Sequence, residues 1–200
     1  MKHIVFPILL LSFALSWANA ESLNIQQITA SVDLIPGWEA APEKYLAQLS
    51  RMTKPSVIAH AKAKDPSVNI ADIDSQIILL QMFTKQNRDK PNVMMSIEKI
   101  WGDPAGKNGS DYLKLMSDRF SLFSKNNKIN HEFRELKINE VTFYAADVTN
   151  SINPDAVTKQ EYISSVKNNF YVTFVLSYND KSDSDYDSMM KLVRSYTNLK

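Results

Sequence analysis

Residues 132–178 read EFRELKINEVTFYAADVTNSINPDAVTKQEYISSVKNNFYVTFVLSY, and this stretch decides the fold. Apolar and polar residues alternate with a period of two, the repeat of a half-buried strand. The pattern predicts four strands, at Glu132–Ile138, Val141–Val148, Lys159–Val166 and Phe170–Tyr178. Asn139-Glu140 and Lys167-Asn168-Asn169 are tight-turn signals, because asparagine tolerates the left-handed backbone. Asn150–Val157, with Asn153-Pro154-Asp155, is a longer turn. Four strands joined by short turns make an antiparallel meander. A helix is expected to follow over Asp183–Thr197, its apolar stripe formed by Tyr186, Met189, Met190, Val193 and Tyr196.

Working back from the meander, Ser110 or Asp111 can cap a helix that carries Tyr112 or Leu113, Met116, Phe120 and Phe123 on one stripe. Asn126-Asn127 can supply its C-terminal left-handed residue. The segment 102–109 holds three of the four glycines and is expected to be a loop. Gln76–Thr84 is continuously apolar enough to be a strand buried on both faces, and Val93–Trp101 is a second strand. The polar run 85–92 links them. Further upstream, Ser31–Ile35 alternates as a strand, and Pro36-Gly37-Trp38 turns. Pro42 opens a helix with Tyr45, Leu46, Leu49 and Met52 on one stripe. Pro55-Ser56 is expected to interrupt it before a short second helix over 57–64. Residues 65–74 are expected to be a loop, and residues 21–30 a loose N-terminal segment. Residues 31–200 are read as one domain of the α+β class, an antiparallel meander with helices on one face or on both.

Residues 1–20, MKHIVFPILLLSFALSWANA, have the three parts of a secretory signal peptide. Lys2 is the basic start, Ile4–Trp17 the apolar run and Ala18-Asn19-Ala20 the small-x-small cleavage site. The apolar run has about 14 residues, short of the roughly 20 that span a bilayer. No later segment approaches that length. With no cysteine at the junction, a lipid-anchored lipoprotein is excluded. Cleavage removes one charge, Lys2, and leaves 22 basic and 22 acidic residues. An exported chain, periplasmic or secreted with a bacterial envelope favoured, is therefore expected. It has no net charge to drive binding to phosphate or anionic lipid, and no basic excess marks it as a nucleic-acid binder.

The chemistry on offer is sparse. With no cysteine, thiol catalysis, zinc–thiolate sites, iron–sulfur clusters and disulfides all fall away. Four glycines cannot furnish a phosphate loop or a dinucleotide fingerprint. His60 and His131 have no companions at metal-ligand spacing. Asp183-x-Asp185-x-Asp187 starts like a calcium loop. However, Ser188 stands where glycine is required and Arg194 where a bidentate glutamate is required. These carboxylates are read instead as complementing a helix N-terminus. Asp65, Asp72 and Asp74 are read as a solvated acidic loop, and Asn108-Gly109-Ser110 fits a glycosylation acceptor. No catalytic residue, metal or cofactor is assigned. Trp38 and Trp101, each beside a turn, are the residues expected to anchor a partner.

The stretch Asn169-Phe-Tyr-Val-Thr-Phe-Val-Leu-Ser-Tyr-Asn-Asp180, followed by the helix ending Leu192-Val-Arg-Ser-Tyr-Thr197, resembles the closing strand and helix of the PsbP-like family. The strand entering Pro36-Gly37-Trp38, the paired strands, the helix and the meander complete a resemblance that covers most of residues 31–198. That family takes in the extrinsic photosystem II subunit, a nuclear Ran-binding relative and many exported bacterial proteins of unassigned role. The resemblance implies an α/β/α sandwich and a non-enzymatic binding or assembly role with a protein partner. The family shares no catalytic residues, so none is carried over. Two other readings follow from the residues. One is a small-molecule or lipid-binding module with a cavity lined by Met and Phe. The other is a hydrolase built on scattered carboxylates.

The processing site generates the first prediction. Mass spectrometry of exported protein should find Glu21 as the first residue, and a retained Met1 would remove the basis for export.

Overall fold

The computed structural model describes residues 22–64, 66, 67, 69, 77–85, 91–100, 102–123, 128, 129, 132–151 and 157–199. An eight-stranded antiparallel sheet forms the middle layer. Its strands are β3 (Trp38–Ala40), β4 (Ile77–Lys85), β5 (Asn92–Lys99), β6 (Lys128–Ile129), β7 (Arg134–Ile138), β8 (Val141–Ser151), β9 (Val157–Lys167) and β10 (Phe170–Tyr178). The order is β3-β4-β5-β10-β9-β8-β6, and β7 also pairs with β8. The meander expected from the sequence is present as β7 to β10. Its turns use the backbone freedom of asparagine: Asn139 has φ 53°, and Asn168 and Asn169 have φ 49° and 67°. Two consecutive positive φ values match the right-handed twist of the strands that a two-residue hairpin joins.

β10 lies inside the sheet between β5 and β9, and Tyr171 to Tyr178 are all buried. Val172, Phe174 and Leu176 point to one face, Tyr171 and Val175 to the other. Both faces therefore need cover. Helix α2 (Gly109–Phe123) covers one, with Leu113 against Ala146, Val148, Tyr162 and Val175. Helix α1 (Glu43–Lys64) packs beside it, on α2 and β4. Helix α3 (Ser184–Arg194) covers the opposite face through Met189, Met190, Leu192 and Val193. The result is an α/β/α sandwich of the α+β class. Next to α3 lies a small second sheet of β1 (Ser22–Ile25), β2 (Ala30–Asp33) and β11 (Thr197–Asn198), in the order β1-β2-β11.

Several local expectations need correcting. The segment 21–30, expected to be loose, is ordered from Ser22 onward, because Ile25 and Ile28 are buried in the core. The last helix ends at Arg194 instead of Thr197. The Ser195 hydroxyl accepts the Asp33 N–H at 2.9 Å, which holds the chain beside β2 and starts β11. Pro55 does not break α1. It sits exposed on the outer side, where solvent can reach the carbonyl that a proline ring leaves unpaired. Tyr45, expected on the inner stripe, is 43% exposed.

The α2 start also differs from expectation. Asn108 is the cap: its Oδ1 accepts the Ser110 N–H at 2.8 Å. Asp111 returns the favour by accepting the Asn108 N–H at 2.9 Å, a reciprocal box. Gly109, expected in the loop, is the first helical residue. A Cβ there would fall 1.8 Å from the Ser164 carbonyl oxygen, so only glycine lets α2 approach β9 this closely. The loop 65–74, His131 and the Asn126-Asn127 signal lie wholly or largely outside the described residues.

The two sides of α3 supply the second prediction. Val193 is fully buried and Lys191 exposed. Val193→Ala should cost about 1–4 kcal/mol through lost transfer energy and a residual cavity. Lys191→Ala should change stability by under about 0.5 kcal/mol. Urea melts of both variants check this, and equal effects would contradict the packing of α3 on the sheet.

Candidate functional site

The register of β8 on β9 places Asp147 directly opposite Glu161. Like charges facing each other across a strand pair repel. Glu161 shares its face with Ile163, the α3 side of the sheet, and is only 1% exposed. A buried carboxylate in that position demands compensation, and three elements supply it. Arg134 on β7 donates to Glu161 Oε1 at 2.5 Å and lies 3.4 Å from Asp147 Oδ1. Lys181, in the turn between β10 and α3, donates to Asp147 at 2.6 Å and lies 3.6 Å from Glu161 Oε2. Tyr186, from the first turns of α3, donates its hydroxyl to Glu161 Oε2 at 2.5 Å. Two anions and two cations thus alternate around a closed cluster.

Aromatic rings wall the cluster on one side. Tyr178 and Tyr186 meet edge to face with centroids 5.3 Å apart. The Lys181 ammonium stands 5.8 Å from the first ring and 5.6 Å from the second. This is the reach of a cation–π contact. Beyond the rings opens a cleft of about 140 Å³, lined by Pro91, Tyr178, Asn179, Asp180, Asp183, Asp185 and Tyr186. Its acidic residues already have local duties. Asp183 caps α3 by accepting the Asp185 N–H at 3.1 Å. Asp180 accepts from the Ser182 N–H and hydroxyl, which hold its carboxyl below the ordinary range. Asp185 pairs with Lys85 of β4 at 2.6 Å. The reading of these carboxylates as helix-start residues therefore holds, with Asp183 as the cap and Asp185 and Asp187 in the first turn of α3.

The protonation states follow from the same contacts. Burial pushes the Tyr178 hydroxyl well above its ordinary range, and the nearby Asp147 and Glu161 charges push it further. Burial raises Tyr186 in the same way, joined by its hydrogen bond to Glu161. Burial works against the Arg134 cation, but the Glu161 charge and hydrogen bond outweigh it, so Arg134 titrates above its ordinary value. Both tyrosines thus stay protonated, Tyr186 as the donor to Glu161, and each charged member of the cluster has an opposite charge as its neighbour. Such a cluster can lock strands to a helix and present charges of both signs at fixed spacing.

Of the two tryptophans expected to anchor a partner, Trp38 is 6% exposed and belongs to the core. Its backbone N–H donates to the Ile35 carbonyl at 3.1 Å and closes the Pro-Gly turn, and the indole packs inward. Trp101 lies outside the described residues. The cluster itself escaped the sequence reading. The available signal was Glu161, a charge at a position of core parity in a strand. Its partners come from strands and a helix that are distant in sequence.

The raised tyrosines generate the third prediction. A folded pKa above the unfolded value gives stability that is full below the unfolded value and lost as pH rises beyond it. The tyrosine contribution to stability should therefore be flat up to about pH 10 and fall above it. Tyr196, pushed up to about 12 by burial, adds to the fall. Tyr186→Phe should flatten that alkaline slope and cost about 1–2 kcal/mol at neutral pH. Denaturant melts across pH read both effects, and an unchanged slope would contradict the cluster.

No protein-family profile matches the chain, and no curated protein sequence matches it. Among solved structures, the chain is similar to the solution structure of cyanobacterial PsbP (CyanoP) from Synechocystis sp. PCC 6803. The two share 12% identity at a TM-score of 0.56, over 93% of this chain and 96% of that one. With a doubly covered antiparallel sheet and a match along nearly the whole of both chains, this protein has the PsbP-like fold.

Proposed function

We propose that this is an exported, non-enzymatic accessory protein that engages a macromolecular partner in the cell envelope or outside the cell. The PsbP-like fold carries the reading, since the resemblance implies a binding or assembly role. The charge cluster agrees with it. Its acids and bases neutralise one another, whereas general acid–base catalysis needs a group poised to exchange a proton with a substrate. The half-exposed Arg134, Asp147 and Lys181 form a rigid polar rim suited to fixing the register of a partner. Trp101, beside the Gly102 turn, is the aromatic anchor assigned to that partner. The cleft beside Tyr186 is not the Met- and Phe-lined cavity that the ligand-binding alternative requires. It measures about 140 Å³, below the roughly 300 Å³ at which small-molecule sites begin.

Affinity capture of the exported protein from an envelope fraction, with reciprocal capture of whatever it recovers, is the direct test. One stoichiometric partner is expected. Trp101→Ala should lower its recovery at least about tenfold, the effect of losing an aromatic anchor. A tightly held small molecule in the native mass spectrum, with no protein partner, would replace this reading with the ligand-binding one.

A further inference from the structure

Charge is distributed unevenly over the layers. The chain has 23 basic and 22 acidic residues, nearly balanced. Yet α1 holds five cations, Lys44, Arg51, Lys54, Lys62 and Lys64, against one carboxylate, Glu43. On the far side of the sheet, α3 begins with Asp183, Asp185 and Asp187. Of the two outer helices, α1 is thus the basic one, whereas α3 has an acidic first turn and a basic last turn, Lys191 and Arg194.

The cations of α1 are also aligned. At about 100° per residue, Lys44, Arg51 and Lys62 fall within roughly 20° of a single line along the helix. All three are exposed. A rise of 1.5 Å per residue spreads them over about 27 Å. Gln48, Pro55 and Ala59, also exposed, lie along the same side. Ile58, half-buried and about 40° off the line, is the one large apolar side chain on this face among the described residues. Tyr45, 43% exposed, sits on its flank. Among the described residues, no helix is long and apolar enough to cross a membrane.

We propose that the outer face of α1 is an adsorption surface for the anionic phospholipid headgroups of a bilayer. A straight row of cations makes full contact with a flat anionic plane. The α3 helix, with carboxylates at its start and Lys191 and Arg194 only at its end, offers no such row, so α1 sets the orientation and the α3 layer faces away. Attachment of this kind is electrostatic and screened by salt. It requires no partner protein, so it stands apart from the function proposed above.

Flotation with vesicles tests it, using purified protein as processed by the producing cell. The vesicles are phosphatidylcholine alone, or phosphatidylcholine with one-third phosphatidylglycerol. Binding to the anionic vesicles only, abolished by high salt, is expected. Each cation near such a surface contributes about fivefold in affinity, so K44E/R51E/K62E should lose at least about a hundredfold. The neutral K44Q/R51Q/K62Q variant should lose less. K191E, a reversal of the same charge type on α3, should bind as the parent does. Thermal melts of the variants confirm that they are folded. The proposal is overturned if the parent protein ignores anionic vesicles, if K44E/R51E/K62E still binds them, or if the row is needed only for a short DNA duplex or an acidic protein.

Discussion

The rest of the structure depends on β10 being apolar on both faces. A strand whose alternate side chains are all buried cannot lie at the surface of a sheet. It needs a neighbouring strand on each edge and a layer on each face, and the chain supplies all four. Phe174 and Tyr196 meet edge to face at 6.0 Å, and Phe143 and Tyr196 at 5.5 Å, which ties the C-terminal segment to the sheet beneath α3. On the other face the contact is closer. Gly109 brings the start of α2 onto the backbone of Ser164, and the Ser164 and Thr173 hydroxyls bond to each other at 2.9 Å below it.

The charge cluster is a consequence of the same arrangement. Burying one face of β9 under α3 also buries Glu161, and the pairing with β8 sets Asp147 beside it. The protein does not avoid this cost. It offsets it with Arg134, Lys181 and Tyr186, drawn from a strand, a turn and a helix. Replacing a buried ion pair by apolar residues is often neutral or stabilising, so the cluster is better understood through geometry. It fixes the angle at which α3 leaves β10 and therefore the shape of the cleft rim. The Lys85–Asp185 pair holds the other side of that rim to β4. A charged, rigid rim and a basic outer helix on the opposite layer give the molecule two different faces.

Local patterns in the sequence determined a good deal of this. Alternation marked β7 to β10, with β10 read to the residue. The paired asparagines marked the β9–β10 turn, because few side chains tolerate positive φ. The stripe of α3 was legible because Met189, Met190 and Val193 repeat at helical spacing. Other features had no local signature. Ile25 and Ile28 are three apart, but in a polar segment too short to establish a period, so their burial in the core could not be read. Pro55 looked like a break because its cost depends on whether the freed carbonyl can reach water, and that depends on what packs around α1. Trp38 beside a turn looked like an anchor, but the turn closes toward the core. By itself, the sequence determined which segments pair and which faces are apolar, since those follow from side-chain period and turn chemistry. Only the tertiary structure decided that Asp147 and Glu161 face each other, because strand register and helix placement are set by contacts between residues far apart in the chain.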